Sequence, residues 1–397
     1  MAGQPSGRAP DLSQAEVESL FEQRLAAAFE ALGQVNLLVV GKTGVGKSTL
    51  VNAMFGSDVA RTGLGEPVTK GLLHYRLPDS FLGLYDAEGF ETGVAGDSIL
   101  AGLRTLVDRY AARPAAEHIH AAWYLVRWSD RRFEQAQVSF VRELARLGLP
   151  VVIVLTQVPT REGTVHPEAL EFAAYIDGLG LPVAGPAVPT NALADAFSGA
   201  PVHGLQALLD ATYAIVPDVA ERALTAAQRV DLGRKKKAVE AVINQAVAVA
   251  AGIGATPIPF TDAALLIPNQ ITMIARITAA YGLPPSRSRA MSLAGSIVLT
   301  GGATLAGRYL VTNLLKFMPY GFVAGSAISA TVAASLTKAV GHAWSQVCEL
   351  ALTMDDDQRD QFWASAAVAE QFLVFFQRNP SAGASLLRRV TKRPSSA

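Results

Sequence analysis

Apolar and polar residues alternate with three different rhythms along the chain. Val17, Leu20, Phe21, Leu25, Phe29 and Leu32 recur at helical intervals behind the capping-box spacing Ser13-Gln14-Ala15-Glu16, which predicts an amphipathic helix after a short tail. Its apolar stripe has to be covered by another element. From about 34 to 216, short apolar runs alternate with helical stretches, the pattern of βαβ units on a largely parallel sheet. The predicted strands are 35–40, 71–77, 81–85, 122–127 and 151–155, and the predicted helices 47–55, 97–112, 134–147, 167–178 and 203–215. Val151-Val152-Ile153-Val154-Leu155 is apolar throughout, as a central strand covered on both faces should be.

The third rhythm is nearly unbroken hydrophobicity. After Arg234-Lys235-Lys236-Lys237, which closes a polar helix, no charge occurs from Ala241 to Thr261, from Ala290 to Gly307, or from Phe317 to Thr337. Breaks at Pro257-Ile258-Pro259, Gly282-Leu283-Pro284-Pro285, Gly301-Gly302 and Pro319-Tyr320-Gly321 divide 235–351 into four or five helices that are apolar nearly all round. A final helix is expected near 355–378, opened by Asp355 to Asp357, ended by Asn379-Pro380 and followed by a basic, Ser-rich tail. The division expected is 1–33 tail and amphipathic helix, 34–216 α/β domain, 217–351 hydrophobic helical domain, and 352–397 C-terminal helix and tail.

Half of the 397 residues are hydrophobic and the mean hydropathy is +0.27, a surplus that the second half accounts for. Its uncharged spans approach the ~20 residues that cross a bilayer. They are interrupted by Gly, Pro, Ser and Thr and separated by Asp262, Arg276 and Lys316. The basic residues at 234–237 and at Arg388, Arg389, Lys392 and Arg393 offer charge to anionic headgroups. Spanning helices, peripheral contact at a membrane surface and a protein-covered bundle all remain open readings, the last including a homo-oligomer. Basic and acidic residues balance at 34 each, so nothing points to nucleic acid as a partner. Cys348 is the single cysteine, which fits a reducing compartment, and the N-terminal residues lack the apolar core of a signal peptide. The location expected is cytoplasmic, or at the inner face of the cell membrane.

Chemistry concentrates in the first half. Gly41-Lys42-Thr43-Gly44-Val45-Gly46-Lys47-Ser48-Thr49 is a complete G-x-x-x-x-G-K-[ST] phosphate loop, placed between the apolar run Val35–Val40 and a helix. The glycines let backbone N–H groups turn around a phosphate at a helix N-terminus. Lys47 can reach the β- and γ-phosphates, and the Ser48 hydroxyl suits Mg²⁺. Asp86-Ala87-Glu88-Gly89 ends the strand 81–85, where an Asp can hold Mg²⁺ through water and the Gly89 amide can sense the γ-phosphate. Thr69, in Glu66-Pro67-Val68-Thr69-Lys70, is the preferred second Mg²⁺ ligand in a polar loop before the next strand, with Thr62 as its rival. Lys47, Thr69 and Gly89 are thus the candidate catalytic groups, and Ser48, Thr69 and Asp86 the candidate metal ligands. The fold class that follows is α/β, a P-loop nucleotide-binding domain with a largely parallel sheet, ahead of an all-α hydrophobic domain.

The phosphate loop, Pro67-Val68-Thr69 and Asp86-x-x-Gly89, in that order and spacing, resemble the small-GTPase superfamily and within it the Era-like and immunity-related branches. The resemblance implies GTP, Mg²⁺ and switch loops near 58–71 and 86–98. The second half is similar to the YcjF-like helical domain through Pro257-Ile258-Pro259, Asp262, Pro268-Asn269-Gln270, Met273-Ile274 and Tyr281-Gly282. That likeness implies an architecture more than an activity. Together the two cover 34 to about 350.

Two departures from the superfamily stand out. Its base-reading Asn/Thr-Lys-x-Asp appears as Thr156-Gln157-Val158-Pro159, without the Asp that would accept two hydrogen bonds from guanine. Guanine preference then has to come from elsewhere, with Pro189-Thr190-Asn191-Ala192 where the last base-contacting loop belongs and Gln157 able to lay its stem along the base. The Gln that often follows the D-x-x-G glycine is Phe90, which cannot orient water, so hydrolysis should be slow unless Glu88 or a partner subunit contributes. Arg131 or Arg132 is the candidate for such a contribution. The six histidines show no metal spacing, and Trp123 reads as core. Three functions compete: a GTP-hydrolysing switch that repositions the helical domain, a dynamin-like assembly or remodelling protein at a membrane, and a nucleotide-binding scaffold with little turnover.

Overall fold

The computed structural model describes residues 14–56, 66–69, 72–76, 81–87, 94–195, 199–254, 262–283, 330–365 and 367–378. Two compact units emerge, one of Leu32–Leu232 and one joining Met1–Ala31 to Gly233–Ala397.

Among the described residues of the first unit, seven strands form one sheet in the order β2-β3-β4-β1-β5-β6-β9. The strands are β1 (Val35–Gly41), β2 (Glu66–Thr69), β3 (Leu72–Arg76), β4 (Leu82–Ala87), β5 (Ala121–Arg127), β6 (Val151–Thr156) and β9 (Val188–Pro189). β1 is parallel to β4 and β5, β5 to β6 and β6 to β9, while β2 and β3 form an antiparallel edge. Every residue of β1 and β6 is buried, which is why both read as continuous apolar runs. A small hairpin, β7 (Thr160–Arg161) with β8 (Thr164–Val165), follows β6. Helices α2 (Lys47–Phe55), α3 (Val94–Ala111), α4 (Gln135–Arg146), α5 (Pro167–Asp177), α6 (Leu205–Tyr213) and α7 (Asp218–Ala227) complete the unit. Leu38, Val40, Leu103, Val141, Leu144 and Ile153 share one core cluster. Trp123 is fully buried as expected, stacked on Phe55 at 5.9 Å with its indole N–H donated to Thr212 Oγ1.

β2 departs from expectation, because Thr69 ends a strand paired antiparallel with Leu72 instead of lying in a free loop. The strand escaped notice because it is four residues long and holds a Pro, which an edge strand tolerates. The rival Thr62, the pair Glu88 and Gly89, and Phe90 lie outside the described residues.

His120, just ahead of β5, ties this strand to β1. Its Nδ1 accepts the Asn36 N–H at 2.9 Å and its Nε2 lies 2.9 Å from the Ala115 carbonyl, a pairing that uses the neutral ring completely. Burial pushes the His120 pKa below its ordinary value.

The second unit gathers α1 (Gln14–Leu32) with α8 (Leu232–Gly254), α9 (Asp262–Ala280), α10 (Ala330–Leu352), α11 (Asp356–Ala364) and α12 (Ala367–Arg378). Phe21 and Leu25 of α1 enter one core cluster with Ile243, Ile274, Trp344 and Phe372. The stripe of the N-terminal helix is therefore covered by helices from the far end of the chain. α7, at the start of the helical domain expected from 217, packs on β1 and β4, and the first compact unit runs through Leu232. The expected helix over 355–378 is two helices. Ser365 interrupts it, with its hydroxyl bonded to the Phe362 carbonyl and to the Ala367 N–H.

The basic run 234–237 begins α8 instead of closing a helix, and it does not face solvent as a block. Lys235 is 2% exposed, donating to the Tyr281 carbonyl at 3.0 Å, and Lys236 pairs with Glu349 at 3.0 Å. Tyr281 in turn hydrogen-bonds Ser345 and Glu349 through its hydroxyl. Burial raises the pKa of Tyr281, and likewise that of Cys348 beside Thr278. Among the described residues no helix is long and apolar enough to cross a membrane. The uncharged stretch 290–307, most of 317–337 and the basic tail lie outside the described residues.

Phe21→Ala should lower the stability of the helical unit by about 3–5 kcal/mol, the usual cost of emptying a buried Phe site, in urea unfolding followed by tryptophan fluorescence. The unfolded chain takes up a proton on His120 more readily than the folded one, so acid favours unfolding. The His120 contribution is complete above the unfolded value of 6.5 and is lost as pH falls through the lower folded value. Thermal unfolding of wild type and His120→Gln should show a steeper loss between pH 7.5 and 5 in the wild type.

Candidate functional site

The carboxyl ends of the parallel strands β1, β4, β5, β6 and β9 meet at one edge of the sheet, the position where open α/β sheets bind ligands. At that edge β1 runs into the phosphate loop. Gly44 and Gly46 hold φ of 79° and 95°, a left-handed backbone that L side chains resist, and Gly46 leads directly into α2. The loop therefore turns its N–H groups toward the start of a helix, as an anion site requires.

Lys47 Nζ donates to the Gly41 carbonyl at 3.1 Å and stands 3.9 Å from Asp86 Oδ1, the two side chains being 13% and 18% exposed. A cation is thus poised over the loop with a carboxylate at its side. Ser48, in the first turn of α2, and Asp86, at the end of β4, offer oxygen donors of the kind Mg²⁺ selects. Lys42 pairs with Glu134 at 3.6 Å, and Thr43 and Thr49 are exposed.

The base side is built from β6 and the segment after β9. Thr156 Oγ1 donates to the Val45 carbonyl at 2.7 Å, and Gln157 Nε2 to the Gly44 carbonyl at 3.1 Å. Both residues, assigned from sequence to the nucleotide, spend these groups on holding the phosphate loop. The Val158 N–H donates to the Thr190 carbonyl at 2.9 Å and Thr190 Oγ1 to the Leu155 carbonyl at 3.0 Å, which knits the two base-side loops together. Asn191 turns its amide nitrogen on its own loop, to the carbonyls of Leu193 and Pro201.

These loops and α2 enclose a cavity of about 350 Å³, lined among others by Val45, Gly46, Thr156, Gln157, Asn191 and Ala192. That volume sits at the small end of ligand pockets, which run from ~300 to ~1,000 Å³, and suits a base or nucleoside. The cavity also takes in Leu193 and Asp195, which sequence reading passed over because no motif marks them. Arg131, a candidate for the missing catalytic charge, pairs with Glu168 and lies over the Trp128 ring, so it is engaged within this chain.

The structure thus brings Gly41 to Thr49, Asp86, Thr156, Gln157, Asn191 and Ala192 to one edge, with Thr69 two strands from β4. Lys47→Ala should lower nucleotide affinity at least ~30-fold, as loss of a partly buried charge partner does, while the fold survives. Isothermal titration with circular dichroism checks both halves, and near-wild-type affinity in the folded variant would contradict the site.

Residues 36–157 match the family described as 50S ribosome-binding GTPase, and residues 218–372 match a domain of unknown function, DUF697. No curated protein matches the chain. Among solved structures, a probable GTP-binding protein engB is 18% identical, with 47% of this chain and 100% of that chain covered at a TM-score of 0.32. Era from Aquifex aeolicus, bound to GDP and aluminium fluoride, is 18% identical over 55% of this chain and 68% of that chain at a TM-score of 0.31. Cdc11 from Saccharomyces cerevisiae is 19% identical over 38% and 65% at a TM-score of 0.24. The family matches, together with the phosphate loop and the Lys47–Asp86 geometry, place a GTPase domain of the small-GTPase superfamily in the first half of this chain, followed by a DUF697 helical domain.

Proposed function

We propose that the chain hydrolyses GTP to GDP and phosphate with Mg²⁺, and that nucleotide state repositions its helical domain. The observation that carries this reading is Lys47, held between the Gly41 carbonyl and Asp86 at the mouth of a positive-φ glycine loop. Lys47 would neutralise charge on the transferring phosphate, and Ser48 and Asp86 would hold the metal. Bound there, Mg²⁺ would supply charge neutralisation to the transferring phosphate. Thr69 supports the switch half. It sits at the outer edge of the sheet on a short strand, two strands from β4 and the Asp86 that ends it. A γ-phosphate that draws Thr69 toward the metal would pull that edge strand with it.

The switch is preferred to membrane remodelling because two lysines of the 234–237 run are committed to protein partners. In addition, no described helix has the length and apolarity to cross a bilayer. The guanine nucleotide is the expected ligand, and the DUF697 half the element it controls.

Thr69→Ala and Asp86→Ala should each weaken Mg²⁺-dependent GTP binding roughly tenfold or more while changing GDP binding less, since both lie on the metal and γ-phosphate side. Single-turnover hydrolysis with Mg²⁺ and with chelator tests the activity itself. Turnover that is insensitive to Lys47→Ala, or no faster than free GTP, would favour the scaffold reading. An equal loss of GTP and GDP binding in the two variants would remove the switch.

A further inference from the structure

We infer that the cavity beside the phosphate loop takes purine nucleoside triphosphates as a class, ATP alongside GTP, and that Pro159 is where a choice between them is forgone. This rests on the reading above, in which Lys47 holds the phosphates of a nucleotide. Val45, Gly46, Thr49 and Leu50 line the cavity on the loop side, and Thr156, Gln157, Pro159 and the segment after β9 line it on the other. Val45, Leu50, Pro159, Ala192 and Leu193 give it apolar walls, which cover a purine ring whatever groups its edge carries. Telling one purine from another is a matter of that edge. Guanine presents two donors side by side, the N1–H and the N2 amine, whereas adenine presents one amine beside an acceptor nitrogen.

The groups placed to read that edge are committed inside the protein. Pro159 brings no N–H, and its carbonyl accepts the His166 N–H at 3.1 Å. The Val158 N–H donates to the Thr190 carbonyl, and the Val158 carbonyl meets His203 Nε2 at 2.7 Å. Thr190 donates both its N–H and its hydroxyl to the Leu155 carbonyl, while Asn191 and His203 exchange backbone hydrogen bonds at 3.0 and 2.9 Å. Thr156 gives its hydroxyl to the Val45 carbonyl, Gln157 its amide nitrogen to the Gly44 carbonyl, and Asn191 its amide nitrogen to Leu193 and Pro201. Asp195 is likewise engaged within the chain. The amide oxygens of Gln157 and Asn191 can accept an amine from either purine. A site that pairs with a substrate edge rejects the wrong one by ~10⁴- to 10⁵-fold, because its own polar groups would be left unpaired, whereas apolar walls discriminate by only ~10- to 200-fold. Here the committed groups stay paired whichever purine enters, so a wrong base strands none of them. Pro159 lies on the cavity wall with a bare ring for a side chain, at the position where a carboxylate would impose the choice.

The experiment measures the affinities of GTP, ATP and xanthosine triphosphate for full-length wild type, Pro159→Asp, Pro159→Asn and Lys47→Ala. Wild type should bind GTP and ATP within ~200-fold of each other, the reach of an apolar pocket. A wider preference for either nucleotide overturns the inference, and that result needs no variant to fold. Pro159→Asp should raise the GTP-to-ATP ratio by roughly 10- to 100-fold, the range for a hydrogen bond to a charged group. It should also lose xanthosine triphosphate, whose 2-oxo group would meet the carboxylate oxygen to oxygen. Pro159→Asn, of similar size but uncharged, should show neither change. A folded Pro159→Asp that binds GTP with the wild-type ratio overturns the role given to position 159, and so does an equal rise in Pro159→Asn. Lys47→Ala should lose GTP and ATP together. If it binds both as wild type does, the nucleotide reading beneath the inference falls instead.

Discussion

Two hydrogen bonds from the end of β6 to the phosphate loop, Thr156 to the Val45 carbonyl and Gln157 to the Gly44 carbonyl, hold the candidate nucleotide site in one piece. They fix the distance between where phosphates bind and where a base would lie. Each neutral bond adds only about 1 kcal/mol net, but a buried carbonyl left unmet costs about 1–3 kcal/mol. The Thr156 bond is buried, so its loss would reach the loop directly. Gln157 makes its bond from a left-handed backbone, φ 58°, a conformation costing of order 1–3 kcal/mol in a residue other than glycine. The surrounding loops hold it there: Val158, the next residue, donates to the Thr190 carbonyl and accepts His203.

That arrangement gives the Thr156-Gln157-Val158-Pro159 segment a structural task that needs no carboxylate. Thr156 and Gln157 serve the phosphate loop, a task independent of base identity. A site assembled from separate loops needs each loop positioned, and the sheet edge positions them all.

The helical unit solves a different problem with a buried cation. Lys235 donates to the Tyr281 carbonyl, and the Tyr281 hydroxyl reaches Ser345 and Glu349 on α10. The network joins α8, α9 and α10 at a point where apolar packing alone would allow sliding, since many neighbouring positions are Ala or Val. Directional bonds select one register among helices whose surfaces are nearly uniform. The N-terminal helix then covers the same core through Phe21 and Leu25.

Local physics made much of this legible in the sequence. Short apolar runs located β1, β4, β5 and β6, because strands buried on both faces can carry little else. The phosphate loop was legible because positive-φ glycines, a lysine and a helix start must be contiguous to bind phosphate, and Asp86 because it ends the neighbouring strand. Contacts between distant segments left no such trace. That Thr69 pairs in an edge strand, that Ser365 divides the last helix, that Lys235 points inward and that Phe21 joins Trp344 depends on partners far along the chain. Asp195 belongs to this second class. Its residue type is ordinary in a loop, and only the pairing of Asn191 with His203, and of His203 with the Val158 carbonyl, brings this part of the chain beside the phosphate loop. The sequence alone therefore determined the sheet and the phosphate-loop motif, which are local, and the tertiary structure decided the cavity beside that loop and the helical core, which are made by residues that meet only on folding.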